Sequence, residues 1–343
     1  MATTTEIAPK TPSRASRPDS VLSEWQRLVS DSESRLALLG ASLCGILLGL
    51  MYASNLMHFV QTWSTDENYS HGFLVPLLGL YFAREAMREG PLDRRGGQAL
   101  GVGLLVVSVL ARLATVLVPV GIVGDVGFLI GIAGICALMA GRDALKRYGF
   151  AIGFLIFMVP LPVALYSALA SPLQMIVSRL GSSLLNVIGI PVLCEGNMMT
   201  LPGNVRMFVA EACSGMRQLT GFLALTTAVA YLSTRPGGGS SGGGALAGAA
   251  AKGARNPYPF WYRAALVVSS VPIAMTANVL RVTLTGVIMY HLDPSYASGK
   301  FHTLEGLLMM AVGLGLLGLE CAALKTLTMP RSSQTHVPAP ATA

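Results

Sequence analysis

Cys213 stands in EACSGMR, Glu211 to Arg217, between a polar, turn-prone segment and a long apolar run, with Ser214 and Gly215 able to cap a helix at the junction. At a helix start, unpaired backbone N–H groups and the positive end of the helix dipole favour the thiolate, the nucleophilic form of cysteine. The competing reading is a small apolar side chain packed in a helix. Acyl transfer needs two more parts: a fixed cation for an oxyanion or substrate carboxylate, and a base that titrates near neutral pH. Arg281 offers the first, with Asn278 three residues earlier on the same helix face; a snorkelling arginine is its alternative. His302 offers the second, able to take a thiol proton and return it to a leaving amine, or else it is a polar residue at a helix start. Four residues after Cys213, Arg217 either favours the thiolate further or is structural. Glu211 orients a partner or sits at the surface. His71, in ENYSHG, is a further imidazole for the same chemistry, and Glu305, one turn beyond His302, reads as a helix cap.

These side chains must be positioned by a membrane. The 343 residues are 52% hydrophobic and only 12% charged, and the mean hydropathy is +0.59, so the chain reads as an all-α polytopic integral membrane protein. Its five cysteines are odd in number and unclustered, which indicates neither a disulfide framework nor a zinc site; no metal or organic cofactor is implied. Cys194 is close enough in sequence to pair with Cys213, but that would silence the nucleophile. Residues 1–35 lack a short apolar core with a cleavage site and read as a disordered cytoplasmic tail, as do residues 326–343. Between them, residues 36–325 form the membrane-embedded unit, interrupted by a flexible Gly-rich linker at 234–258.

At about 20 apolar residues per crossing, eight spans are expected, near 36–60, 72–87, 98–118, 122–141, 149–170, 213–233, 264–290 and 303–325. QTWSTDENYSH reads as a polar loop after the first. Pro160 and Pro162 should kink or end the fifth. Residues 171–190 carry Gln174, Ser178, Arg179, Ser182, Ser183 and Asn186 at helical spacing and read as an interfacial amphipathic or re-entrant helix. A small outer-face β-hairpin is expected around the LPGN turn.

Charge orients these spans. Of 24 Lys and Arg, all but Arg112, Arg179, Arg206, Arg217, Arg281 and Lys300 fall in tails and loops on one side, which the positive-inside rule assigns to the cytoplasm along with both termini. The net charge of +7 is thereby explained without nucleic acid. Cys213, Arg281 and His302 then fall at the outer ends of three different spans, although none of the three was used to draw the topology.

ENYSHGFLVP, MVPLP, the LPG segment leading to EACSGMR, NVLR ending at Arg281 and FHTLEG beginning at His302 occur in that order. Together they resemble the exosortase/archaeosortase family over about residues 40–325. The resemblance implies an integral membrane cysteine enzyme of the plasma (inner) membrane, sortase-like in chemistry but not in fold. Its substrates would be proteins with a PEP-CTERM-type C-terminal signal, which comprises a short Pro-containing motif, a transmembrane helix and a basic tail. Carried over by position, Cys213, Arg281 and His302 would be the catalytic set at the outer face, and the acceptor would be a lipid, a glycan or water. The Gly-rich linker and the N-terminal tail are not part of the family pattern. Rival readings are a membrane cysteine protease that uses only water, a transporter and a scaffold for exopolysaccharide export. A transporter predicts midplane polar residues and related halves. Here the polar cluster lies at one face, and no internal repeat is evident.

Overall fold

The computed structural model describes residues 32–88, 96–118, 121–209, 215–233, 259–292 and 300–328. Helices α1 (Ser32–Met51) and α2 (Ala53–Thr65) meet at Tyr52, a 3-10 segment (Glu67–Phe73) follows, and α3 (Leu74–Met87) continues from it. Next come α4 (Gln98–Leu117), α5 (Gly121–Ala140), α6 (Arg142–Phe154), a short 3-10 turn (Leu155–Met158) and α7 (Val163–Val187). Three strands, β1 (Leu193–Glu195), β2 (Met198–Leu201) and β3 (Val205–Phe208), precede α8 (Met216–Leu232), α9 (Phe260–His291) and α10 (Lys300–Thr328). This is an all-α polytopic membrane fold with one small sheet. Leu43, Leu47, Leu110, Leu113 and Leu307 stay largely exposed, as expected of surfaces solvated by lipid tails.

Five helices among the described residues are long and apolar enough to cross a bilayer, α4, α5, α7, α9 and α10; the pair α1 and α2, bent by 69°, makes a sixth if counted as one span. Eight spans were expected. Two of the expected spans, 72–87 and 213–233, form α3 and α8, of 14 and 17 residues, which fall short of about 30 Å at 1.5 Å per residue. Other expectations shift as well. QTWST closes α2 and ENYSHGF forms the 3-10 segment, so the expected polar loop is largely helical. The tails beyond residues 32 and 328 and most of the Gly-rich linker lie outside the described residues, although α1 begins inside the segment assigned to the N-terminal tail.

The run 149–170 is not one span. Regular helix stops at Phe154 and resumes at Val163, so the segment expected to be a separate interfacial helix, 171–190, is instead the C-terminal part of the 25-residue α7. Pro172 is tolerated inside α7, whereas Pro160 and Pro162 each remove an N–H four residues after a carbonyl, those of Ile156 and Met158. The freed groups are met individually. Val159 N–H turns back to Ile156 O at 3.1 Å, and the Trp63 indole Nε1 donates to Met158 O at 2.9 Å in place of the missing Pro162 N–H. Leu161 N–H donates to the Tyr69 hydroxyl at 3.1 Å, and His71 Nε2 donates to Phe157 O at 3.2 Å.

Phe59, Trp63, Tyr69, Phe82, Phe154 and Met158 form the apolar core around this break. Gly72 lies directly under the Trp63 indole, where a Cβ would overlap the ring. On the other side, α4 and α5 pack closely through Gly101 and Gly134, and the buried Tyr52 donates to Ser108 O at 2.7 Å, fastening the α1/α2 bend to that pair.

The hairpin expected around LPGN is formed by β2 and β3, and β1 extends it to a three-stranded antiparallel meander, ordered β1-β2-β3, with Cys194 opposite Met199 and Met199 opposite Met207. Gly189 ends α7 at φ 92°, Ile190 N–H returns to Leu185 O at 3.0 Å, and Asn186 Oδ1 accepts from Val192 N–H at 2.8 Å. Met199, Leu201 and Met207 pack on Val177 and Leu185 of α7 and on Val279 and Val282 of α9.

Replacing Trp63 with Phe keeps a ring in the core but strands the Met158 carbonyl, and should cost about 1–3 kcal/mol. Thermal unfolding of the purified Trp63→Phe protein in detergent measures this. A melting temperature equal to that of the parent would mean that the carbonyl is met some other way.

Candidate active site

The segment that carries the candidate nucleophile enters the described structure at Gly215. There φ is +81°, a conformation open to glycine, and Gly215 O accepts from Leu219 N–H at 2.8 Å to begin α8. The helix therefore starts at Met216, with the left-handed Gly215 before it. Cys213 and Glu211 lie outside the described residues. Gly215 is seated on α9: a Cβ there would lie 3.0 Å from Asn278 Nδ2 and 3.1 Å from its Cγ.

Asn278 is fully buried, and Arg281, one turn along α9, is 9% exposed. Both point into the protein, unlike a snorkelling arginine, whose guanidinium reaches out to the headgroups. One turn further on, the Thr285 hydroxyl lies 3.0 Å from Arg281 O and donates to Glu305 Oε1 at 2.6 Å. Glu305 is buried, so it ties α10 to α9 and does more than cap a helix. His302 belongs to the first turn of α10, three residues before Glu305. The Thr285–Glu305 bond thus fixes the register of the helix bearing Arg281 against the helix bearing His302. Sequence reasoning assigned Thr285 no role, although a Thr at i+4 from an inward Arg and a Glu at i+3 from a His were visible in it.

Arg217 turns to the 3-10 segment, where its Nη1 pairs with Glu67 Oε2 at 2.7 Å. With side-chain exposures of 40% and 84%, this pair is worth under about 1 kcal/mol, and its effect is to guide the approach of α8 to that segment. Glu67 was not singled out from sequence because its partner is 150 residues away. In the same 3-10 segment, His71 is committed to the Phe157 carbonyl, which requires the proton on Nε2. Burial holds its pKa below the ordinary 6.5; the carbonyls of Phe157 and Asn68 partly offset this, and the nearby Arg217 charge pushes it lower still. At neutral pH His71 is an uncharged backbone-bonding group.

Among the described residues no cluster of His, Cys, Asp and Glu could hold a metal ion, and Cys194 is a free thiol.

The His71 shift has a sign that can be checked. The unfolded chain takes up a proton near pH 6.5, the folded chain only at lower pH, so between those values the unfolded state binds more protons. Stability should be full above about pH 6.5 and fall as pH drops toward the folded pKa. Unfolding followed from pH 8 to 5 should show this slope in the parent and lose it in His71→Gln. An equal slope in both would assign the acid sensitivity to other groups.

A family model described as transmembrane exosortase matches residues 63–238 and 244–319. No curated protein and no solved structure matches the chain.

Proposed function

The chain belongs to the transmembrane exosortase family, and on that premise we propose that it is a membrane cysteine transpeptidase or protease acting through Cys213. One observation carries this reading. Gly215, two residues from Cys213, packs on Asn278, one turn from the buried Arg281. This supports a site shared by the segment that carries Cys213 and Arg281, the only guanidinium of α9 that lies beyond its first turn. The Thr285–Glu305 bond holds the helix of His302 beside the same stretch.

In the proposed reaction, a protein with a C-terminal Pro-containing motif, transmembrane helix and basic tail docks laterally, with its scissile peptide at the outer face of the plasma membrane. His302 takes the Cys213 proton, and the thiolate adds to the peptide carbonyl. Arg281 stabilises the oxyanion or holds the chain. As the C–N bond breaks, His302 delivers its proton to the departing amine, leaving a thioester on Cys213. An acceptor then adds to the thioester, loses its proton to His302 and expels the thiolate. That acceptor is a lipid, a glycan or water; with water alone the enzyme is a protease, and the mass of the new C terminus distinguishes the cases. Both termini and the Gly-rich linker would be cytoplasmic.

Expressed at parental level in the native host, Cys213→Ala should abolish processing of a protein bearing such a signal. Arg281→Ala should slow it by about 10²-fold or more, as expected when an oxyanion donor is lost. His302→Gln should likewise leave little activity. Normal processing by Cys213→Ala would sink the proposal.

A further inference from the structure

A cavity of about 410 Å³ opens where the end of α2, the 3-10 segment, the start of α5 and the broken stretch 160–163 meet. That volume falls among small-molecule sites. Arg281 does not line it. Within the 3-10 segment and its cap, Glu67 and His71 engage Arg217 and Phe157, while Asp66, Asn68 and Tyr69 line the cavity.

Asp125, in the second turn of α5, lines this cavity and is 3% exposed. Its Oδ1 accepts from Asn55 Nδ2 at 2.8 Å, the one hydrogen bond Asp125 makes among the described residues, so Oδ2 has none. Arg112, on the adjoining helix α4, is spent elsewhere: Nε donates to Met51 O at 3.0 Å, and Nη1 and Nη2 to Thr115 and Ser54 at 3.1 Å each. Asp125 makes no ion pair among the described residues, although the His58 imidazole interacts with it electrostatically; carboxylates buried in spanning helices are costly and are retained where a ligand or transported ion supplies the partner.

The other walls indicate what kind of cation fits. Asp66 adds a second carboxylate, and among the described residues neither Lys nor Arg lines the cavity and His58 is its one imidazole. The rings of Tyr69 and Tyr166 stand 6.3 Å apart and offer aromatic surface to a cation, while Ile122, Pro160, Leu161 and Val163 suit methylene groups. A bare metal ion is disfavoured, since no metal-competent cluster exists among the described residues.

We propose that this cavity binds an alkylammonium group, with the cation against Asp125 and its carbon chain along the Pro160–Val163 wall. The group can come from an amine-bearing lipid headgroup or from a water-borne amine. The site is independent of the Cys213 reading.

The full chain in nanodiscs of phosphatidylglycerol, a lipid without an amine, is dialysed at pH 7 against radiolabelled butylammonium or butanol, with empty discs subtracted. Butylammonium should bind saturably and at least about tenfold more tightly than butanol, a difference of about 1.4 kcal/mol. Asp125→Asn should abolish that preference. Ile122→Trp, which fills the cavity and leaves both carboxylates in place, should also lose binding, and it serves if Asp125→Asn does not fold. Phosphatidylethanolamine retained by the parent and not by Asp125→Asn in mixed-lipid discs, read by native mass spectrometry, identifies a lipid source. Butylammonium binding without such retention identifies a water-borne one. Equal affinity for butanol and butylammonium, or undiminished butylammonium binding by both variants, overturns the proposal.

Discussion

A lipid bilayer offers no water to a broken backbone, and the irregular stretch 155–162 is tolerable only because named side chains take over its hydrogen bonds. Pro160 and Pro162 delete the donors that the carbonyls of Ile156 and Met158 would have met in a helix. Tyr69 and His71, in the 3-10 segment, and Trp63, in the last turn of α2 just before it, meet the freed backbone from about 90 residues earlier. Two defects in regular helix thus satisfy each other. Each side of the pairing would be costly alone, since an unpaired buried backbone group costs about 1–3 kcal/mol.

The rest of the site depends on that pairing. Once the 3-10 segment is locked against 157–161, its Glu67 is placed to receive Arg217 from the first turn of α8, and its other face becomes a wall of the cavity with Asp125. A second set of contacts acts across the bundle. Gly215 sits on Asn278 because it has no Cβ, and Thr285 ties α9 to the buried Glu305 of α10. The turn entering α8, the Arg281 turn and the start of α10 are therefore held to one another by short-range packing and by the Thr285–Glu305 hydrogen bond. The sheet, packed on α7 and α9, closes the region beside them.

Much of the helical layout was legible because apolar length is a strong signal. The reading placed α4, α5, α9 and α10 within a few residues of their bounds. The i,i+3 spacing of Asn278 and Arg281 indicated that the two share a face, and both are buried. It failed where polarity and helix part company. QTWST and ENYSHGF looked like a loop because they are polar, yet their polar atoms serve the neighbouring backbone. Residues 171–190 looked interfacial because Gln174, Ser178 and Ser182 interrupt the apolar pattern, yet all three are buried inside the bundle, where Ser178 and Ser182 bond carbonyls of their own helix. The partners of Arg217 and Thr285 were invisible, because contacts across 150 and 20 residues leave no local pattern.

By itself the sequence determined that this chain is helical and membrane-embedded, where its longest helices run, which family it belongs to and which of its few polar residues merit chemical attention. Those properties follow from composition, periodicity and ordered motifs, all of them local along the chain. Tertiary structure decided where α8 begins, that 149–187 is the end of one helix, a break at 155–162 and then one long helix, that His71 is a backbone donor, and that Asp125 faces a cavity. Each of these outcomes depends on which distant group meets a particular N–H, carbonyl or carboxylate, and in a bilayer without competing water that pairing is set only when the helices come together.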